Sequence, residues 1–148
     1  VLGTEPEVIE KYVRSGKIKL VFRAVLNHGE RSIRTSEAAA CAGLQGKFWQ
    51  MHSILFERQR DVWGKGGNEQ FDLMQVYAAE IEGLNKDAFK QCMTDRTTLK
   101  MLQDVDAEQR TRGVTFQPIF EIGDQRVAGA QSFEAMATFI DKALAQSQ

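Results

Sequence analysis

Gly113-Val114-Thr115-Phe116-Gln117-Pro118-Ile119-Phe120-Glu121-Ile122-Gly123-Asp124-Gln125-Arg126-Val127-Ala128-Gly129 decides the fold of this chain. Two short runs of strand-forming residues flank Gly123-Asp124, a pair suited to a tight hairpin turn, so Ile119–Ile122 and Gln125–Ala128 are predicted to form an antiparallel hairpin. Gly129 closes it. Ser132 then caps an amphipathic helix carrying Phe133, Met136, Ala137, Ile140 and Leu144 on one face. On the residues alone, Pro118 is an ordinary trans proline opening a strand, where its missing N–H costs no ladder bond.

Towards the N-terminus, Thr4-Glu5-Pro6-Glu7 reads as a helix start, with Thr4 as cap, Glu7 completing a capping box and Pro6 in the first turn. Val8, Ile9, Tyr12 and Val13 continue that helix and Gly16 stops it. Lys17-Ile18-Lys19-Leu20-Val21-Phe22 begins as an alternation and turns wholly apolar, the pattern of a strand buried in an α/β sheet. From 32 to 112 the period becomes helical. Ala38, Cys41 and Ala42 form a stripe broken by Gly43 and Gly46, and Phe48, Met51, His52 and Leu55 follow at helical spacing. Residues 60–68 are glycine-rich and polar apart from Val62 and Trp63, and are predicted as a loop. Phe71, Met74, Ala78 and Ile81 mark another helix. Asn85 caps one carrying Phe89, Cys92 and Met93, and Asp95 is expected to cap a last one through Leu99, Leu102 and Val105, ending near Gly113.

Composition sets the bounds. The 148 residues fit one domain that buries roughly 70% of its unfolded surface. A 43% hydrophobic and 26% charged content is that of a soluble globular protein, and a net charge of −1 supplies no global field for nucleic acid or anionic membranes. No apolar run is long enough to span a bilayer. Val1-Leu2-Gly3-Thr4-Glu5-Pro6 lacks the basic start and apolar core of a signal peptide, and lacks an initiator Met, which leads to the expectation of a mature or trimmed start. Cys41 and Cys92 are the only cysteines and do not by themselves fix a redox compartment. No Cys-x-x-Cys is present.

The order helix, strand, helical block, hairpin, helix, with several local strings, resembles the DsbA-like thiol–disulfide oxidoreductases, in which a helical domain is inserted into a thioredoxin fold. The resemblance covers essentially the whole chain. Its most specific stretch is Ala38-Ala39-Ala40-Cys41-Ala42-Gly43-Leu44-Gln45-Gly46-Lys47-Phe48-Trp49-Gln50-Met51-His52, close to an AA-x-CA-x-x-QGKFW-x-MH string of the secreted bacterial branch. Tyr12 to Arg23, Phe89 to Met93 and Gly129 to Glu134 also match. The resemblance implies an α/β, thioredoxin-like fold with an all-helical insertion: residues 1–31 and 113–148 as an incomplete core, and 32–112 as the insertion. In such proteins a central strand and the Cys-x-x-Cys precede the point where this sequence starts. With that first core strand missing, two inner sheet edges lack ladder partners, so the chain is expected to be cut from a longer protein; if it folds by itself, the gap is expected to be closed by rearrangement or by a strand of a domain-swapped second copy.

The resemblance also implies roles for particular residues. The family's redox thiolate sits at a helix N-terminus within the missing motif, so no catalytic residue is present and this chain alone is expected to be inactive. Cys41 and Cys92 lie on apolar helical faces; taken as residues they are two buried free thiols, whereas the resemblance implies a structural disulfide. Pro118 matches the family's cis-proline, and with Gln117 before it marks the surface where a substrate polypeptide pairs as an added strand. Gln117 stands where the family has Thr or Val, and Phe116 replaces a common Gly. Polypeptides bearing thiols or disulfides are the implied partners, together with a membrane redox partner, in an extracytoplasmic bacterial setting. No cofactor is implied. His28 and His52 lack the neighbours of a metal site, and His52 reads as part of a helical face. Trp49, Trp63, Phe48 and Phe56 read as core or domain-interface residues. Gly64, Gly66 and Gly67 follow no strand and so form no phosphate loop. Two other readings stand beside this one: a kappa-type glutathione transferase or chromene-carboxylate isomerase, which share the inserted architecture, and a non-catalytic peptide-binding module that keeps the groove without the redox motif.

Overall fold

The computed structural model describes residues 2–146 and divides them into two compact units, one of residues up to Phe22 and from Arg112 onwards, the other Arg23–Thr111. Eight α-helices and one hairpin are present among these residues: α1 (Thr4–Val8), α2 (Glu30–Gly43), α3 (Phe48–Glu57), α4 (Gln59–Trp63), α5 (Gly67–Glu80), α6 (Lys86–Thr94), α7 (Leu99–Thr111), β1 (Ile119–Ile122), β2 (Gln125–Ala128) and α8 (Phe133–Gln146).

In the smaller unit, α1 runs directly into a π-helical turn, Ile9–Val13. Val8 and Tyr12 from this segment pack with Met136, Ala137 and Ile140 of α8, and Ile18, Phe120, Ile122, Phe133 and Leu144 close over them. The register pairs Phe120 with Val127 and Ile122 with Gln125. The side chain of Ser132 accepts from the Ala135 N–H, so α8 is capped as its sequence indicates. Thr4 does not cap α1. It lies inside the first turn, and its hydroxyl donates instead to the Gln131 carbonyl at 2.6 Å, tying α1 to the chain entering α8.

The expected strand Lys17–Phe22 is not formed. Lys17 and Ile18 both direct their N–H groups to the Tyr12 carbonyl, and Val21 and Phe22 are 57% and 44% exposed. A strand is defined by its ladder, and the sheet among the described residues contains β1 and β2 only. Without a paired strand, an apolar run of this composition does not become one.

The larger unit is built around α2, which packs against α3, α5, α6 and α7. Its core holds Ala38, Cys41, Ala42, Met51, Met74, Tyr77, Phe89 and Met93, with Phe48, Leu55 and Phe71 at its margin. Small residues on α2 let its neighbours approach closely, and the larger side chains come from those neighbours. The unit starts earlier than the helical periodicity indicates. Residues 23–31 belong to it because the Leu26 N–H donates to Asp106, Arg110 reaches Asn27, Arg23 pairs with Glu108, and Glu30 pairs with Arg96.

Two further stretches depart from what their composition predicts. Residues 60–68 are not all loop: Gln59–Trp63 is a helical turn anchored by Val62, which is 5% exposed, and α5 already starts at Gly67. One buried side chain suffices to hold a short turn that composition alone reads as loop. Asp95 does not cap α7. It follows the last residue of α6 as its C-cap, bonded by the Gln91 side chain, and Arg96 after it takes φ +53°. That left-handed backbone, costing about 1 kcal/mol in a non-glycine residue, directs the Arg96 guanidinium onto Glu37. Both contacts, Nε to Oε1 and Nη2 to Oε2, are 3.0 Å, and Arg34 Nη1 lies 3.6 Å from the same fully buried carboxylate.

Candidate functional site

The segment leading into β1 combines exposure, a constrained backbone and an open sheet edge. Gly113 leaves α7 at φ +77°, a conformation that needs glycine. Val114 returns to the interior, whereas Thr115, Phe116, Gln117 and Pro118 face solvent, Phe116 at 51%. The Gln117–Pro118 peptide bond is cis. The Pro118 carbonyl accepts the Gly129 N–H at 2.9 Å, which carries the hairpin ladder one bond past β1 and fixes the proline against β2. On its other side β1 has no strand neighbour among the described residues. Its free backbone N–H and C=O groups therefore adjoin the cis bond, and such an edge accepts an extended polypeptide by main-chain pairing.

Charged side chains brace this segment. Arg126 donates to Glu121 through Nε (3.2 Å) and Nη2 (2.7 Å), and through Nη1 to the Arg112 carbonyl (2.8 Å). Arg112 also pairs with Glu121. The hydrogen bond from Arg126, against some burial and with both guanidinium charges beside it, holds the Glu121 carboxyl below the usual range. The trio has no contiguous motif, yet a two-residue turn at Gly123-Asp124 fixes the register that sets Glu121 opposite Arg126.

The cysteines lie in the other unit. Cys41 of α2 and Cys92 of α6 are joined, with S–S 2.00 Å and Cα–Cα 5.9 Å, and they are 1% and 9% exposed. The disulfide that the resemblance implies is present, in place of the two free thiols that the residues alone suggest. Its sulfurs are shielded by the core, and Thr98 Oγ1 lies 3.9 Å from Cys41 Sγ. A buried disulfide offers no thiolate and little access to one, so it staples helices and does not exchange with substrates. Gln117 and Pro118 thus lie at the surface, and Cys41 and Cys92 form a core crosslink.

His52 is 3% exposed and sits among the rings of Phe48, Trp49 and Phe56 at 4.8–5.8 Å, completing a helical face. Trp49 and Trp63 are not core residues; both remain more than a third exposed, and Trp63 meets His28 edge-on at 4.8 Å. Their amphipathic rings cover the surface at helix ends, which periodicity alone cannot separate from burial.

The sequence profile of the family described as "Thioredoxin" matches residues 2–142. The protein named Na(+)/H(+) antiporter NhaA 3 of Salinispora tropica is 29% identical over 147 residues, covering 97% of this chain and 21% of that protein. The protein named Na(+)/H(+) antiporter NhaA 1 of Salinispora arenicola is 31% identical over 111 residues, covering 74% of this chain and 16% of that protein. The chain spans about a fifth of the length of these curated relatives.

Proposed function

This chain belongs to the thioredoxin family, and from that premise we propose that it is the substrate-presenting body of a DsbA-type protein-disulfide oxidoreductase, acting on thiols and disulfides of extracytoplasmic polypeptides. The single observation that carries the reading is the exposed segment at Gln117 and Pro118 beside the edge of β1 that has no strand neighbour among the described residues. Main-chain pairing there is indifferent to substrate sequence, which suits an enzyme serving many unfolded chains. The AA-x-CA-x-x-QGKFW-x-MH string and the Cys41–Cys92 crosslink favour the DsbA type over a glutathione-binding enzyme of similar architecture. The residues present bind and orient. Exchange itself requires a thiolate that Cys41 and Cys92, locked together in the core, do not supply.

That same locked pair favours, as a second reading, a peptide-binding module with no redox step. Reduced, alkylated ribonuclease A separates binding from chemistry. Titrated by fluorescence anisotropy it is expected to bind this chain and to lose affinity on Pro118→Ala, while insulin reduction by this chain alone shows no turnover. Turnover by this chain alone contradicts both readings, and affinity unchanged by Pro118→Ala removes the observation on which they rest.

A further inference from the structure

Within the helical unit, the turn after α3 and the facing side of α5 enclose an open depression of about 630 Å³, walled by Arg58, Arg60, Asp61, Lys65, Leu73 and Tyr77, with Gly64 at its rim. Its size is in the range of sites for small organic ligands. Three of the charged wall residues are cations and one is a carboxylate. Arg58 is already committed: its guanidinium grips Glu80 through two contacts of 2.6 and 2.5 Å and lies 4.9 Å over the Tyr77 ring. Arg60 and Lys65 carry no ion pair or side-chain hydrogen bond among the described residues. Tyr77 is 2% exposed, yet its hydroxyl has no hydrogen-bond partner. A buried phenol without a partner costs about 1–3 kcal/mol, and such groups mark places completed by something outside the fold.

We propose that this depression is a binding site for a small organic anion, a carboxylate or phosphate ester, which the Tyr77 hydroxyl and the side chains of Arg60 and Lys65 hold. The phenol suits the role of donor. Burial, followed by the nearby Asp61 charge, pushes Tyr77 up from its ordinary range, against the Arg58 charge, so it stays protonated. Asp61 disfavours a bare anion and favours one that also presents hydroxyl or amino donors on the carboxylate's side. Arg58, neutralised by Glu80, packs over the Tyr77 ring and holds that wall in place. The contacts come from side chains, not from a backbone nest, so the glycines at 64, 66 and 67 need form no phosphate loop. The site is independent of the edge at Gln117–Pro118 and of any redox step.

The test is a titration of the ¹⁵N-labelled full chain with glycerol 3-phosphate and, separately, with malate, anions that each carry a hydroxyl donor, at constant ionic strength set by sodium chloride. Saturable amide shifts confined to residues 58–65 and 73–80 are expected with at least one anion, and the anion that saturates identifies the class. Exposed Arg60 and half-buried Lys65 lie outside the core, so Arg60→Gln with Lys65→Gln is expected to weaken binding at least about tenfold. Tyr77→Phe keeps the ring and is expected to weaken it by about fivefold or more. No saturable shift with either anion overturns the proposal. So does equal affinity in the double variant, which assigns the shifts to ionic strength, or equal affinity in Tyr77→Phe, which leaves the phenol to a water molecule.

Discussion

Breaking the Cys41–Cys92 crosslink should cost the helical unit more than any single hydrogen bond in it. The bridge closes a loop with a sequence separation of 51, and for a loop of that span the lost entropy of the unfolded chain corresponds to about 4 kcal/mol. It joins α2, the helix that packs against most of the unit, to α6, so the constraint acts on the centre of the core. Equilibrium urea unfolding of the full chain, followed by far-ultraviolet circular dichroism with and without dithiothreitol, reads the effect directly. The reduced protein is expected to be about 4 kcal/mol less stable, with a melting temperature lower by about 10 °C. Cys41→Ala with Cys92→Ala should fall at or below the reduced wild type, because both sulfurs are buried and alanine also removes packing. Superimposable curves for oxidised and reduced protein refute the reasoning, as does alkylation of both thiols in the unreduced, unfolded chain.

Other consequences can be checked with the same unfolding assay or by titration. Glu37→Ala removes the fully buried carboxylate held by Arg96 and Arg34 and should cost about 3 kcal/mol; a loss under 1 kcal/mol by the same estimate would place the ion pair outside the fold's stabilising contacts. Burial opposes ionisation of Asp106, but its hydrogen bonds from Arg110 and the Leu26 N–H prevail and hold it below the ordinary value. A carboxyl depressed in the folded state contributes stability above its unfolded pKa of about 3.9 and loses it as pH falls further, so Asp106→Asn should flatten the acid limb of a stability profile below about pH 4. Tyr12 and Tyr77, the two tyrosines of the chain, are both raised, chiefly by burial. A raised phenol keeps its proton in the folded state, so the stability it contributes is lost above the ordinary pKa of about 10. Phenolate absorbance at 295 nm should then appear together with unfolding, and a titration at the ordinary value in folded protein contradicts this.

Local chemistry was legible in the sequence where a few neighbouring residues decide the outcome. Gly123-Asp124 between two apolar runs gives the hairpin, and Asn85 and Ser132 accept from Ala88 and Ala135 as their positions at helix starts indicate. Thioredoxin membership and the helical block are likewise carried by contiguous strings. Features that depend on distant partners were not legible. Lys17–Phe22 has strand composition but joins no sheet among the described residues, and Thr4 gives its hydroxyl to Gln131, far along the chain, in place of a cap. Asp95 has a capping side chain, yet Arg96 must turn left-handed to meet Glu37, and that moves the start of α7 to Leu99. The candidate site was half legible. Pro118 could be placed by resemblance, whereas the Arg112–Glu121–Arg126 brace emerges only once the hairpin register is known.

The most direct measurement of the central claim is amide chemical-shift mapping of the ¹⁵N-labelled chain against an extended, alkylated cysteine-containing peptide. Perturbations concentrated on Thr115–Ile122, with the β1 amides newly protected from hydrogen exchange, are the expected result for a polypeptide added to the free edge beside the cis Gln117–Pro118 bond. Perturbations that spare this edge, or a peptide that leaves the β1 amides exchanging as before, contradict it.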